Sequence, residues 1–597
     1  MPGLLGMLSA RPPAECERTV RLMLGALTEG TDLLHGRSAM PALGLYAGWA
    51  AAPGSFAAGV NAQALRPDRF ALVAGEVWPQ RWARERLLSG EDIDDRAARG
   101  FNGQFSALIA DGRRQRLVLF NDRYGMERIY LYQDGADTYF ASEAKAILRV
   151  APRARRLDDR AMADLLCWGS VLHGRTLFRG MGCLAGGTML VSDGGAGWQA
   201  RTYDSARGGE QDDPLEEAEF VRRFVETCRA RVAQQLNSAP IVGLSITGGL
   251  DSRMVMACLP DAGTPAVAYT YAGSSDSLLD ARIGAQVAAA CGVEHRVLRL
   301  APEFLTDFGR FVDRTVLASD GCAGALAAHE VHYSDQAAQL APVRVTGNYG
   351  SEILRGVSTF KPLGLAPGLV HHGLAPALAE ALRDAAGPPL DAVRRAAFQE
   401  VPWHMHGTWA AARSRLVVRA PFLDNDLVDL ALRAPSASRA RLGVEAALVC
   451  AAAPRLAAIK TDRGIALNGA RSRLIDRIAA ELGFKLDYLH KDGLSGHKVR
   501  LAFVLDAMSK LGWLDRHKFL SYRRWFRFEL AAHVKQILLE SHSSPHAYFE
   551  PGAIERTIAE HSSGRHNRTR EIGLMLQLEA TQRLLCGQPH AHLTEQT

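Results

Sequence analysis

The sequence predicts an α/β chain of more than one domain: a strand-rich first part, then a doubly wound parallel sheet, then a helical C-terminal part. Three observations predict it. The 597 residues exceed what one hydrophobic core usually holds. Up to about residue 205, short apolar segments alternate with Gly- and Asp-rich turns. After that point apolar strand-like runs alternate with helical repeats, which implies a parallel sheet covered on both faces.

In the first part, Phe105–Ile109, Leu117–Phe120 and Thr138–Ser142 read as strands. Residues 205–214 are polar and Gly-rich, and read as a linker, with its core at 206–214. The second part, 215–597, opens on an amphipathic helix, Leu215–Leu236. Strands follow at Ile241–Ile246, Pro265–Tyr271, His295–Leu300 and Val343–Thr346, with helices at Ser252–Leu259 and Leu278–Cys291. Beyond residue 370 the chain is mostly Ala-, Leu- and Arg-rich helix.

Composition excludes several classes. A net charge of +6 over this length is weak, so nucleic-acid binding is not indicated. No apolar run approaches a membrane span. The nine cysteines form no C-x-x-C pair, which predicts reduced thiols in a cytoplasmic protein rather than disulfides or zinc. Lysine is scarce at nine residues, so a single Lys in a candidate site stands out.

The strand Ile241–Ile246 runs into Thr247-Gly248-Gly249-Leu250-Asp251-Ser252-Arg253. Paired glycines let the backbone approach an anion closely. Amide groups and the positive end of the next helix then face phosphates, with Thr247 and Ser252 adding hydroxyls. Asp251 would repel bare phosphate, so its presence predicts Mg2+ between carboxylate and pyrophosphate. The Walker pattern is absent. The loop resembles the S-G-G-x-D-S pyrophosphate loop of the N-type ATP pyrophosphatases, which cleave ATP to AMP and pyrophosphate.

Further segments resemble the asparagine synthetase superfamily. Thr346-Gly347-Asn348-Tyr349-Gly350-Ser351-Glu352 lies where that family has G-E-G-[AS]-D-E, and Arg419-Ala420-Pro421-Phe422-Leu423-Asp424 matches its R-x-P-F-L-D. Asn102-Gly103, Asn121-Asp122-Arg123-Tyr124-Gly125 and Phe140-Ala141-Ser142-Glu143-Ala144-Lys145 look like its glutaminase-type domain. The resemblance implies an Ntn-type α+β sandwich over 1–205 and an ATP-pyrophosphatase synthetase domain over 215–597. It also implies ATP and Mg2+ as cofactors, with Leu244, Ser245, Thr247, Gly248, Gly249, Leu250, Asp251, Ser252, Tyr271 and Gly347 around the nucleotide and Asp251 and Glu352 on the metal.

Two departures sharpen the expectation. Glutamine-using members begin M-C-G-I and use that cysteine, whereas this chain reads Met1-Pro2-Gly3-Leu4. Proline has neither thiol nor primary amine, so the first domain should not release ammonia. Tyr349 stands where asparagine synthetases are acidic and where β-lactam synthetase-like members have Tyr. Both departures imply that the substrate supplies its own amine. With Thr461-Asp462-Arg463-Gly464, the pattern looks most like the lasso-peptide cyclases. Those enzymes adenylate an Asp or Glu side chain of a leader-processed precursor peptide for attack by its N-terminal amine. A cysteine-protease partner and a leader-binding protein then become expected partners, and a deep, partly apolar cavity beside the nucleotide is expected too.

The resemblance assigns Tyr349 to proton transfer, with Glu400 as a candidate acidic partner. Lys460 or Arg463 would stabilise the charge of the amide-forming step, beside Glu352 at the metal. In Trp403-His404-Met405-His406, a strand would put both imidazoles on one face, as a metal pair or as cavity lining. Asn121-Asp122-Arg123 reads as a turn whose Asp and Arg satisfy each other. Asp280 and Arg282 read as structural or as part of the nucleotide rim.

Overall fold

The computed structural model describes the chain apart from residues 1, 64–67, 195–196, 205–212, 261–264, 274–278, 385–389, 441, 469–473, 494–501, 511–513, 515–516, 518, 541–544 and 588–597. Most of the expected linker therefore lies outside the described residues.

The first part is a sandwich of two antiparallel sheets. One has six strands in the order β2-β3-β1-β8-β7-β9, formed by β1 (Gly3–Leu8), β2 (Leu34–Met40), β3 (Leu45–Ala51), β7 (Tyr130–Asp134), β8 (Asp137–Ala141) and β9 (Met181–Cys183). The other has five in the order β11-β10-β6-β5-β4, formed by β4 (Arg69–Trp78), β5 (Asn102–Asp111), β6 (Arg116–Asn121), β10 (Thr188–Asp193) and β11 (Gln199–Thr202). The expected strands lie within β5, β6 and β8, give or take one residue. Between the sheets lies an apolar layer including Leu4, Val73, Leu108, Phe120 and Phe140, all buried. The architecture is the Ntn-type amidotransferase sandwich that the resemblance implied. Pro2 stands at the head of β1, in mid-sheet.

The second part is built on a five-stranded parallel sheet, ordered β14-β13-β12-β15-β16: β12 (Val242–Ser245), β13 (Ala266–Ala272), β14 (Glu294–Arg299), β15 (Val343–Thr346) and β16 (Val417–Arg419). Four strands were expected; β16 has only three residues, too short for any periodicity to register. The opening helix is Glu217–Leu236, capped where the Glu216 carboxylate accepts from the Glu219 amide at 3.1 Å. It buries Phe220, Phe224, Cys228 and Val232, a spacing of four that makes one apolar stripe. Helices continue to the C-terminal end, among them Thr569–Thr581.

The two parts are bolted together by buried polar contacts. Arg419 Nη2 pairs with Glu76 at 2.7 Å, Asn102 Nδ2 donates to Asp424 at 2.9 Å, and the Asn425 amide donates to Asn102 Oδ1 at 3.0 Å. Arg413 pairs with Glu127. Both ends of the R-x-P-F-L-D segment and the Asn of Asn102-Gly103 thus serve the domain interface.

One local expectation is corrected. Asp122 and Arg123 do not satisfy each other. Asp122 accepts from the amides of Tyr124, Gly125, Met126 and Glu127, while Arg123 reaches out to Asp204 and Asp429. A carboxylate can gather several amides of its own turn, which leaves the guanidinium for more distant acids. All nine cysteines are free thiols. Among the described residues no helix is long and apolar enough to cross a membrane.

Candidate active site

The Gly-rich loop follows β12 at the carboxyl edge of the parallel sheet, where ligands of such sheets bind. Its shape is held from within and without. The Thr247 amide donates to Ser252 Oγ at 3.1 Å, and the Gly249 amide to Thr247 Oγ1 at 3.2 Å. Asp280 Oδ1 accepts from the Gly248 amide at 2.7 Å. A helix begins at once, Asp251–Ala257.

A second loop, after β15, closes onto the first. A Cβ on Gly347 would stand 2.4 Å from the Ser252 amide nitrogen, and one on Gly350 would stand 2.8 Å from the Asp251 carboxyl carbon. Only glycine permits these approaches. Ser351 donates to Asp251 Oδ2 from its amide at 3.2 Å and from its hydroxyl at 2.8 Å. Tyr349 takes the left-handed conformation with φ 72°, uncommon for a side chain of that size, and lies buried 5.8 Å from the Trp409 ring.

The electrostatics follow from burial. Burial first, then the neighbouring Asp251 and Glu400 carboxylates, push Glu352 above the ordinary glutamate range. Burial first, then Glu352, hold the Tyr349 phenol far above its ordinary value, so it is a neutral O–H. Its acidic neighbours are Glu352 and Glu330. Glu400 accepts from Ser358 Oγ at 2.8 Å, is pushed up by burial, and does not line the cavity.

All this opens on one cavity of about 940 Å³. Ser245, Thr247, Asp251, Ser252, Tyr271, Gly347, Tyr349 and Glu352 line it. Its far walls come from Trp168 of the first domain and from Leu574 and Gln577 of the helix Thr569–Thr581.

A family model described as a glutamine amidotransferase domain matches residues 89–203, and one described as asparagine synthase matches residues 224–456. Residues 224–456 are thus asparagine synthase-like, and residues 89–203 amidotransferase-like. Asparagine synthetase (glutamine-hydrolyzing) 1 of Bacillus subtilis (strain 168) is 21% identical over 283 residues, which is 47% of this chain and 44% of that protein. The match thus spans under half of that relative. Solved structures with partial similarity include that of the allosteric regulatory enzyme of purine biosynthesis (12% identity, TM-score 0.24, 41% of this chain and 60% of that one). Two others are glutamine phosphoribosylpyrophosphate amidotransferase from B. subtilis (13%, 0.23, 49% and 65%) and NMN synthetase from Francisella tularensis (15%, 0.17, 30% and 77%).

Around this asparagine synthase-like domain the other expected site residues fall into place unevenly. Leu244 puts its side chain into the core beneath the sheet and does not line the cavity. Gly248, Gly249 and Leu250 form the loop without lining the cavity wall. Lys460 is exposed and Arg463 pairs with Glu481 while stacking on Phe484; neither lines the cavity. Their turn nonetheless packs on the Gly248-Gly249 loop, because the Asp462 amide donates to Gly248 O at 3.0 Å.

Trp403–His406 is helical, not a strand, so alternate residues diverge. His404 lines the cavity, and His406 is buried away from it. Among the described residues the group of His and carboxylates spaced for a metal ion is His371, His372 and Glu550, which does not line the cavity.

Sequence reasoning missed Arg253. Its guanidinium is fully buried and donates to the carbonyls of Leu456, Ile459 and Lys460, tying the Lys460 turn to the Gly248-Gly249 loop. Burial lowers its pKa to about 10. Its place in the loop motif was the available signal, but nothing in the sequence names carbonyl partners two hundred residues away.

Proposed function

We propose that the chain is an ATP-dependent, AMP-forming amide ligase that closes the macrolactam of a lasso peptide. The observation that carries this reading is the single large cavity in which Asp251, Glu352 and Tyr349 meet. A volume of about 940 Å³ leaves room for a short peptide segment beside a nucleotide. Pro2 at the head of β1 supports it, having no group to release ammonia from glutamine.

ATP would lie with its pyrophosphate over Thr247–Ser252 and Gly347, and its base against the backbone of Leu244, Ser245 and Tyr271. Asp251 and Glu352 fit Mg2+: Asp251 helps to raise the proton affinity of the buried Glu352, and a divalent cation would relieve that repulsion. Mg2+ would offset charge on the departing pyrophosphate. An Asp or Glu carboxylate of the leader-processed peptide attacks the α-phosphorus, and pyrophosphate leaves. The peptide's N-terminal amine attacks the acyl carbon, AMP leaves, and the ammonium proton must depart. Tyr349, neutral, serves as a relay that gives one proton as it receives another, with Glu352 or Glu330 beside it. Lys460 or Arg463 would stabilise charge from the turn on Gly248. A cysteine protease and a leader-binding protein would supply the trimmed peptide.

The test is purified chain with Mg2+, ATP and the trimmed peptide. AMP, pyrophosphate and a product lighter by one water support the reading. Asparagine formed from aspartate and ammonia would instead favour an asparagine synthetase-like ligase. No AMP under any of these conditions overturns both.

A further inference from the structure

Six arginines of the described chain are less than a tenth exposed: Arg123, Arg128, Arg253, Arg344, Arg394 and Arg419. Five have evident partners. Arg123 pairs with Asp204 and Asp429, Arg394 with Asp391 and Arg419 with Glu76. Arg128 donates to Tyr130 Oη and Pro402 O, and Arg253 to a row of carbonyls. Arg344 is the exception. At 7% exposure it makes no hydrogen bond from any guanidinium nitrogen and no ion pair among the described residues, whereas each of the other five makes at least one.

The strand explains where it points. Along β15, Val343 and Val345 enter the apolar core under the sheet, so Arg344 and Thr346 face the other way, into the cavity. The guanidinium lies 4.9 Å from the Tyr271 ring centroid, and Tyr271 stacks on Tyr333 at 4.4 Å. Glu330, on the same wall, is close enough to be felt electrostatically, yet it lies against His329 Nε2 at 3.6 Å. A buried guanidinium without an anion is costly, and aromatic stacking offsets only part of that cost.

We infer that Arg344 is the carboxylate-recognition residue of this cavity, its planar fork completed by a carboxylate of the substrate. This rests on the cavity being the peptide site proposed above. The chemistry matches: a guanidinium takes a carboxylate through two parallel N–H bonds, whereas the triphosphate has its own cradle of loop amides. The carboxylate has two possible sources, an acidic side chain or a peptide C-terminus.

Binding without ATP separates them. The probes are three short blocked peptides measured by calorimetry: one with an internal Asp and an amidated end, its Asn counterpart, and one with Asn and a free C-terminus. Wild-type chain should bind one carboxylate peptide about tenfold or more tighter than the fully amidated one, and which peptide it is names the source. Arg344→Met should erase that preference, and Arg344→Lys, keeping charge without the fork, should retain part of it. Arg344→Met should also melt no lower than wild type, since it removes an uncompensated charge. Equal binding of all three peptides by wild type overturns the inference. So does a preference that survives in Arg344→Met, or a collapse of that variant's fold. If Arg344-dependent binding is seen but AMP never forms, the ligase reading falls and this residue's role stands.

Discussion

Ser351 Oγ donates to Asp251 Oδ2 at 2.8 Å, joining the loop after β12 to the loop after β15. The bond aims one carboxylate of the proposed metal pair from the opposite loop. A hydrogen bond to a charged group is worth about 1.5–3 kcal/mol. Ser351→Ala should therefore cost roughly tenfold or more in turnover, with a raised Mg2+ requirement and a melting temperature lowered by no more than a few degrees. Pyrophosphate release titrated against Mg2+ checks this, and an unaltered Mg2+ dependence would count against the coupling.

Asp251→Asn and Glu352→Gln should each abolish AMP formation while leaving the fold intact. The pH dependence follows from the same pair. Glu352 sits above the ordinary glutamate range because of burial, Asp251 and Glu400. Below that raised value it is protonated and a proton replaces the metal, so the acid limb of the rate profile should lie higher than for a normal glutamate. Glu400→Gln removes one of the negative neighbours, lowers the proton affinity of Glu352, and should move that limb to lower pH. A limb that stays put, or moves up, would dissociate Glu352 from the profile.

Gly347→Ala tests the closure of the two loops. The added methyl would meet the Ser252 amide nitrogen at 2.4 Å and the Asp251 carbonyl carbon at 2.5 Å. Both are backbone atoms and cannot swing aside. Overpacking of this kind costs about 1–3 kcal/mol. The relief available is separation of the loops, so ATP affinity should fall further than stability does. Equilibrium binding of ATP and thermal melting, measured side by side, make the comparison.

The Gly-rich turn after β12 and four of the five parallel strands could be read in advance because their signals are local. Glycines must sit where backbones meet, and apolar runs must alternate with helices to cover a sheet. What escaped reading was long-range or short. β16 has three residues, and the carbonyl partners of Arg253 lie on a distant turn. His404 and His406 looked like a strand pair because alternation is ambiguous over four residues; the backbone there is helical, which sends them to different surroundings. Motif residues that carried the resemblance proved to hold the domains together. Asn102, Arg419 and Asp424 resemble functional positions, yet each spends its polar groups on the contact between the two domains.

That contact yields the last prediction. Arg419 and Glu76 are both buried, at 5% and 7% exposure, and 2.7 Å apart. Arg419 also donates to Ser238 Oγ at 3.0 Å and lies over the Trp78 ring at 4.9 Å. Removing one partner of a buried pair strands the other charge, which typically costs about 3–5 kcal/mol. Arg419→Met should lower the melting temperature and loosen the sandwich from the parallel-sheet domain, seen as faster proteolysis between them. Glu76→Gln in the same background leaves no bare charge and should recover much of the loss. Asn102→Ala should cost less, since it leaves Asp424 its own helix-capping bond to the Asp426 amide. A double variant no more stable than Arg419→Met alone would show that the pair's charge balance is not what joins the domains.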